Sequence, residues 1–148
     1  MKKVMLAAMM AAMLLTSCNE QPKDVDISAL ASQIVGEVSF DDSLSEIDDD
    51  MISMLYSIDG YTDAVLYKGS GATAEEVAIF KMETTDDAKA ALEEAQAHIQ
   101  SQIESYESYI PEEVSRLEDA TVRQDGCYVS VVVSGDSAAA EKLLDGAF

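Results

Sequence analysis

The chain has 148 residues, with 29 acidic against 9 basic side chains and a formal net charge of −20 at pH 7. This excess of carboxylates opposes binding to nucleic acid, because Lys and Arg must neutralise the phosphates, and we expect no nucleic-acid partner. The length suits one domain with its own hydrophobic core.

The first 17 residues are typical of a secretory signal rather than of a folded element. Lys2 and Lys3 precede an uncharged stretch of Ala, Met, Leu and Val at residues 4–15. As a helix this stretch would be about 18 Å long, which is too short to span a hydrocarbon core of roughly 30 Å. We interpret residues 1–17 as a signal peptide.

The apolar stretch ends in Leu15-Thr16-Ser17-Cys18, which resembles the lipobox of bacterial lipoproteins. We predict that Leu15, Thr16 and Ser17 are read by the signal peptidase and that Cys18 is the lipidation site. Because two buried acyl chains give stable attachment, the predicted location is the extracytoplasmic face of the cell membrane, with the lipid as membrane anchor. The alternative is an ordinary secretory signal with an incidental cysteine.

The chain is thus divided into a signal peptide (1–17), a lipidated cysteine with a short polar tether (18–25) and a single domain (26–148). After cleavage and lipidation, Cys127 would have no cysteine partner. It opens a predicted strand on the same face as three valines, so we interpret it as a small buried hydrophobe.

Apolar residues at helical spacing predict two helices at the start of the domain. Asp26 is a suitable N-cap for the first helix, and four residues form its inner face: Ile27, Leu30, Ile34 and Val38. The residues from Ser43 to Glu46 match a capping box for the second helix, which Asp59-Gly60 would end. Its predicted inner stripe consists of Ile47, Met51, Met54, Leu55 and Ile58. We interpret Met51, Met54 and Met82 as core filler.

Two antiparallel hairpins are predicted farther along the chain. Residues 63–68 and 77–82 have strand character and flank Gly69-Ser70-Gly71, and residues 120–124 and 127–134 flank the turn sequence Asp125-Gly126.

A long helix from about residue 86 to 106, capped by Thr84 or Thr85, lies between these hairpins. Pro111 begins a short helix, and Asp136 caps a C-terminal one. We predict an α+β fold: a two-layer domain with a four-stranded antiparallel sheet, the long helix and the C-terminal helix.

Four blocks carry a resemblance to a known family: residues 56–59, 69–81, 109–113 and 126–129. They resemble an uncharacterised domain-of-unknown-function family of small lipoproteins from Gram-positive anaerobic bacteria, over nearly all of the processed chain. The residues from Gly71 to Glu76 are the most specific part. The resemblance implies a cell-surface location and one α+β domain, and it implies no catalytic or binding residues.

No catalytic constellation is recognisable in the sequence, so no catalytic residue and no cofactor are predicted. His98 is the only histidine, and we interpret it as structural or surface-exposed, since a triad or a zinc site needs further partners.

Lys68-Gly69-Ser70-Gly71 is interpreted as a hairpin turn, because in a phosphate-binding loop the lysine follows the glycines. Ser134 to Ser137 is interpreted as a strand end followed by an N-cap.

Five aspartates lie in and before the predicted second helix: Asp41, Asp42, Asp48, Asp49 and Asp50. Consecutive helical residues point about 100° apart, so these carboxylates cannot converge on one calcium ion. We interpret them as a solvated helix face and predict no metal site.

The leading hypothesis is a non-enzymatic, membrane-anchored lipoprotein that binds another envelope protein or a small ligand. Two alternatives stay open: an envelope hydrolase that uses unrecognised carboxylates, and a weak divalent-cation-binding module.

Overall fold

A computed structural model describes residues 23–148 of the chain. Within them the elements are α1 (Ile27–Glu37), β1 (Ser45–Glu46), α2 (Asp49–Leu55), β2 (Tyr61–Lys68), β3 (Glu76–Met82), α3 (Thr85–Tyr109), a 3-10 turn (Pro111–Glu113), α4 (Val114–Glu118), β4 (Thr121–Asp125), β5 (Tyr128–Val133) and α5 (Ser137–Ala147). The predicted signal peptide, with Leu15, Thr16, Ser17 and Cys18, lies outside these residues. No helix in the described part of the chain is long and apolar enough to cross a bilayer.

The five strands form one antiparallel sheet in the order β1-β2-β3-β5-β4. Both predicted hairpins are confirmed, and β3 and β5 pair to join them. Gly126, in the second hairpin's turn, has φ +58°, a conformation that glycine adopts without steric cost. The α+β class is confirmed, but the predicted count of four strands is wrong, because β1 adds a fifth at the edge next to β2.

Helices cover both faces of this sheet through two separate apolar clusters. On the α3 face, Phe80 and Val131 pack with Ala95 and Ile99. On the α1 face, the core comprises residues from α1, the sheet and α5: Ile27, Ile34, Val77, Ile79 and Leu144. The predicted layer of helix on sheet is therefore present, and a further helical layer lies on the opposite face.

The predicted starts of α1, α3 and α5 are confirmed by their caps. The side chain of Asp26 accepts a hydrogen bond from the amide of Ala29, and that of Asp136 accepts one from the amide of Ala139. Thr84, rather than Thr85, caps α3. These caps satisfy amides that have no partner inside the helix.

The predicted second helix is the main error in the fold. Ser45 and Glu46 form β1 instead of a capping box, and α2 spans only Asp49–Leu55. Ile52 is its buried residue, whereas Met51 and Met54 are 43% and 70% exposed, so the prediction that both fill the core is wrong. The prediction assumed one continuous helix from residue 43, which placed the apolar stripe on the wrong side.

Two smaller predictions have separate outcomes. Met82 is buried in the cluster on the α3 face, as expected. Cys127 is only half-buried, because it precedes β5 in the turn of the second hairpin rather than lying within the strand.

The molecule has two distinct ends. At the lower end, residues 23–25 contact the fold: Lys23 donates to the carbonyl of Ala147, Asp24 pairs with Lys81, and the Val25 amide donates to the hydroxyl of Tyr128. The upper end is defined by the loop of residues 69–75 between β2 and β3. The first described residue and the loop at 69–75 thus lie at opposite ends of the sheet.

Candidate functional site

Two consecutive acidic residues at the upper end, Glu75 and Glu76, are buried, each only 1% exposed. A buried carboxylate is costly unless charged or hydrogen-bonding groups surround it. Sequence analysis gave neither residue a role, although both belong to the block from Gly71 to Glu76 that is most specific to the family resemblance. The available signal was their position, since they immediately precede the apolar run Val77–Phe80 at the start of a central strand.

Glu76 has donors from three elements. The hydroxyl of Tyr56 donates to its Oε1 at 2.6 Å, and Nε2 of His98 lies 3.1 Å from the same oxygen. Lys68, at the end of β2, forms an ion pair with Oε2. The carboxylate therefore joins the residue after α2, the end of β2 and the middle of α3.

These contacts change the ionisation of the cluster. Burial alone would raise the pKa of Glu76, but the hydrogen bond from His98 and the charge of Lys68 outweigh it and lower the pKa from 4.5 to about 2. Burial and the neighbouring negative charge of Glu76 raise the pKa of Tyr56 well above 10. Tyr56 thus stays neutral and acts as a hydrogen-bond donor.

His98 belongs to this cluster and is largely buried rather than surface-exposed. Its ring stacks on Tyr56 with centroids 3.8 Å apart, and its side chain is 13% exposed. An imidazole oriented by a carboxylate can act as an acid or base. Its hydrogen-bonding neighbours within residues 23–148 are Glu76 and Gln102. The arrangement is that of a charged network that holds helices to the sheet.

Glu75 binds a different part of the chain. Its carboxylate accepts hydrogen bonds from the backbone amides of Asp41 and Asp42 at 2.9–3.0 Å, and from the hydroxyl of Thr73 at 3.1 Å. Arg116, on α4, lies 3.7 Å from the same carboxylate. Glu75 therefore holds the connection between α1 and β1 against the upper end.

Arg116 links Glu75 to two further acids. Its guanidinium bonds both carboxylate oxygens of Glu113 and forms an ion pair with Asp41. Glu113 in turn accepts from the amide of Ala74 at 2.9 Å. Burial would lower the pKa of Arg116, but the surrounding carboxylates outweigh it and raise the pKa, which keeps the guanidinium charged.

Together the two glutamates fix both ends of one stretch of chain. We call residues 41–56 the clamped segment: Glu75 binds its first two amides, and Glu76 binds the hydroxyl of Tyr56, its last residue. This segment contains β1 and α2. Its position is therefore set by buried charges at both ends, together with Ile52 in the core and the pairing of β1 with β2.

The clamped segment exposes an unusual surface. The outward side chains of α2 include Met51, Met54 and Leu55, which are 43%, 70% and 38% exposed. At roughly 100° per residue these three span about 100° of the helix, and Asp50 lies about 40° from Met54. We call this surface, with Asp48 and Asp49 at the start of the helix, the α2 face.

The five aspartates predicted as one solvated helix face have different positions. Asp48 to Asp50 are exposed at the start of α2, as predicted. Asp41 pairs with Arg116, and Asp42 accepts hydrogen bonds from the amide and hydroxyl of Ser70, so the prediction is wrong for these two. Within residues 23–148, no group of three or more His, Cys, Asp or Glu side chains is arranged to hold a metal ion.

Gly69 to Gly71 belong to the connection between β2 and β3, as predicted, and Lys68 is the last residue of β2. The amide and hydroxyl of Ser70 in this loop donate to the carboxylate of Asp42, so these two groups are not free to bind a phosphate. A Cβ at Gly69 would lie 2.6 Å from the Asp42 carboxylate, so the close approach of Asp42 requires glycine there.

An open groove of about 450 Å³ lies at the lower end, between the start of β2 and the start of α3. Its walls combine Ile58 and Met82 with the carboxylates of Asp59, Asp87 and Glu94. It is separate from the charged network around Glu75 and Glu76.

Residues 37–134 match a domain of unknown function, DUF4358. The chain belongs to this family. The matched residues contain β1, α2, both hairpins and α3, and therefore every contact of the two buried glutamates described above. The chain has no match among curated proteins or among solved structures. The predicted membership of a domain-of-unknown-function family is confirmed, while the lipoprotein character and the Gram-positive anaerobic origin stay predictions.

Proposed function

We propose that this DUF4358 protein is a lipid-anchored binding module on the extracytoplasmic face of the cell membrane. The observation that carries the proposal is the position of Cys18, directly after an uncharged signal-like stretch and separated by only four residues from Lys23, where the described residues begin. Five residue steps reach at most about 17 Å. A lipid on Cys18 would therefore hold the lower end of the domain near the bilayer.

The contacts of the domain's first residues support a defined orientation. Lys23, Asp24 and Val25 each hydrogen-bond to the lower end of the fold, at 2.8, 2.6 and 3.1 Å. Because the tether joins the domain at its lower end, the upper end with the loop at 69–75 would face away from the membrane.

The chemistry of the buried acids favours binding over catalysis. The carboxylate of Glu76 is occupied by donors from Tyr56 and His98, and that of Glu75 by the first two backbone amides of the clamped segment. Groups engaged in this way position other elements instead of reacting with a substrate. Glu75 and Glu76 hold the clamped segment in place, and this segment carries the α2 face. An exposed, partly apolar surface of this kind is typical of an interaction module.

The two cysteines of the chain allow a matched test of anchoring. Cells that express the wild type, Cys18→Ala or Cys127→Ala would be fed an alkyne fatty acid, and the protein would be followed by in-gel labelling and membrane fractionation. We expect label and membrane association in the wild type and in Cys127→Ala, and neither label nor processing in Cys18→Ala. Label that persists in Cys18→Ala, or a wild type without label, would refute the anchoring proposal.

A further inference from the structure

Exposed apolar side chains are concentrated on one short helix. Four large hydrophobic residues are exposed within residues 23–148, and three of them, Met51, Met54 and Leu55, lie on the seven-residue helix α2. Single exposed apolar residues are common on protein surfaces, whereas a contiguous group marks an interaction site.

The network around Glu75 and Glu76 prevents α2 from hiding these side chains. A loosely attached helix could rotate to bury its methionines, but Ile52 already occupies the inner side, and Tyr56 at the helix end is hydrogen-bonded to Glu76. The amides of Asp41 and Asp42 are bonded to Glu75 at the other end of the clamped segment. These contacts therefore keep the α2 face exposed to solvent.

The charge of this region specifies the kind of partner. Asp48, Asp49 and Asp50 are exposed beside the methionines, and residues 24–67 contain no Lys or Arg at all. A second copy of the chain would bring aspartates against aspartates, and an anionic lipid surface would be repelled in the same way. A complementary partner supplies both apolar side chains and positive charges.

We infer that the α2 face is a docking surface for a basic amphipathic segment of another protein. Apolar side chains of that segment would pack on Met51, Met54 and Leu55, since unbranched methionines adapt to varied shapes. Its Lys or Arg side chains would face Asp48 to Asp50. The inference rests on the proposed binding function and names the partner class for it.

The test is a titration of the purified, processed protein in phosphatidylcholine nanodiscs. The probe is a fluorescent 18-residue Lys/Leu peptide designed as an amphipathic helix, and a scrambled peptide of the same composition serves as its control. Protein that carries no acyl chain is titrated in buffer instead, and we expect it to bind the probe equally well, because the α2 face lies outside the tether. A negative result would therefore leave the anchoring proposal standing.

Two double variants of the α2 face separate the contributions of apolar contact and charge. Met51→Gln with Met54→Gln removes apolar surface, and Asp49→Asn with Asp50→Asn removes charge. The matched charge control is Glu93→Gln with Glu94→Gln on the exposed side of α3, and the apolar control is Tyr109→Ser. Circular dichroism melts would establish that every variant is folded.

We expect each α2 double variant to weaken binding of the amphipathic probe about tenfold, and each control to change it less than about twofold. The scrambled peptide should bind at least about tenfold more weakly than the amphipathic one. Equal binding of both peptides, or an equal loss in the Glu93 and Glu94 variant, would overturn the proposal, because either result indicates diffuse attraction to an acidic protein. Binding to phosphatidylglycerol vesicles that is lost in the Met51 and Met54 variant would also overturn it, in favour of a lipid surface.

Discussion

At the scale of single residues, the ionised side chain of Glu76 is stabilised by donors that lie far from it in sequence. Tyr56 and His98 are 20 and 22 residues away, on opposite sides along the chain. Sequence patterns identified the strand that begins at Glu76, and the interpretation of His98 as structural or surface-exposed stays a prediction. The sequence alone could not show that Glu76 and His98 are in contact, because this contact depends on how α3 crosses the sheet.

Replacement of Glu76 by Gln should destabilise the domain in a pH-dependent way. The folded pKa of about 2 is below the ordinary 4.5, so the ionised form stabilises the fold above pH 4.5, and this contribution falls as the pH falls from 4.5 through about 2. At pH 7 we expect Glu76→Gln to lower the free energy of unfolding by about 2 kcal/mol, as for loss of hydrogen bonds to a charged group. Urea unfolding at several pH values measures the difference.

The exposed acid Glu94 provides the control for this experiment. Glu94→Gln should change the free energy of unfolding little at any pH, since surface substitutions are usually within about 0.5 kcal/mol. The account of the Glu76 cluster is wrong if the difference between wild type and Glu76→Gln at pH 7 is unchanged at pH 3.

At the scale of elements, prediction succeeded where the apolar pattern was long and failed in the clamped segment. The long helix α3 and both hairpins have patterns that extend over several turns or alternations, and their caps and turn residues agree with them. By contrast, β1 is two residues long, and it forms because its backbone pairs with Tyr67 and Lys68 of β2. Such tertiary pairing overrides a local capping-box signal, so the sequence alone indicated a helix at Ser45.

Loss of Glu75 should release the start of the clamped segment without unfolding the domain. In Glu75→Ala the amides of Asp41 and Asp42 lose their acceptor, so we expect faster hydrogen exchange there and in β1. Exchange in β5, whose residues are all buried in the centre of the sheet, should stay at the wild-type rate. Hydrogen exchange resolved by mass spectrometry or NMR provides the measurement, and Glu112→Ala, at an exposed residue of the same end, is the control. A uniform rise across the whole domain would contradict a local clamp.

At the scale of the whole molecule, the two ends of the sheet have different roles in the proposed arrangement. The 25 residues of α3 span about 37 Å between these ends. Its first turn lies near Gln124 at the lower end, and Tyr106 in its last turn bonds the carbonyl of Thr73 at the upper end. A tether at Lys23 should keep the lower end closer to the bilayer on average.

Fluorescence quenching can measure this orientation. Exposed residues at each end, Glu83 at the lower and Glu112 at the upper, would be replaced by Cys for labelling in a Cys127→Ala background. In liposomes with headgroup spin-labelled lipid we expect stronger quenching from position 83 than from position 112. Equal quenching, or the reverse order, would show that the domain is not oriented by its N-terminal contacts.

The anchor is the central claim, since the proposed location and the proposed orientation both follow from it. Its most direct test is mass spectrometry of the N-terminal peptide of the protein isolated from the membranes of its native host. The account predicts that the mature chain begins at Cys18 and that this residue carries a diacylglyceryl group. An unmodified Cys18, or a mature N-terminus at another residue, would contradict it.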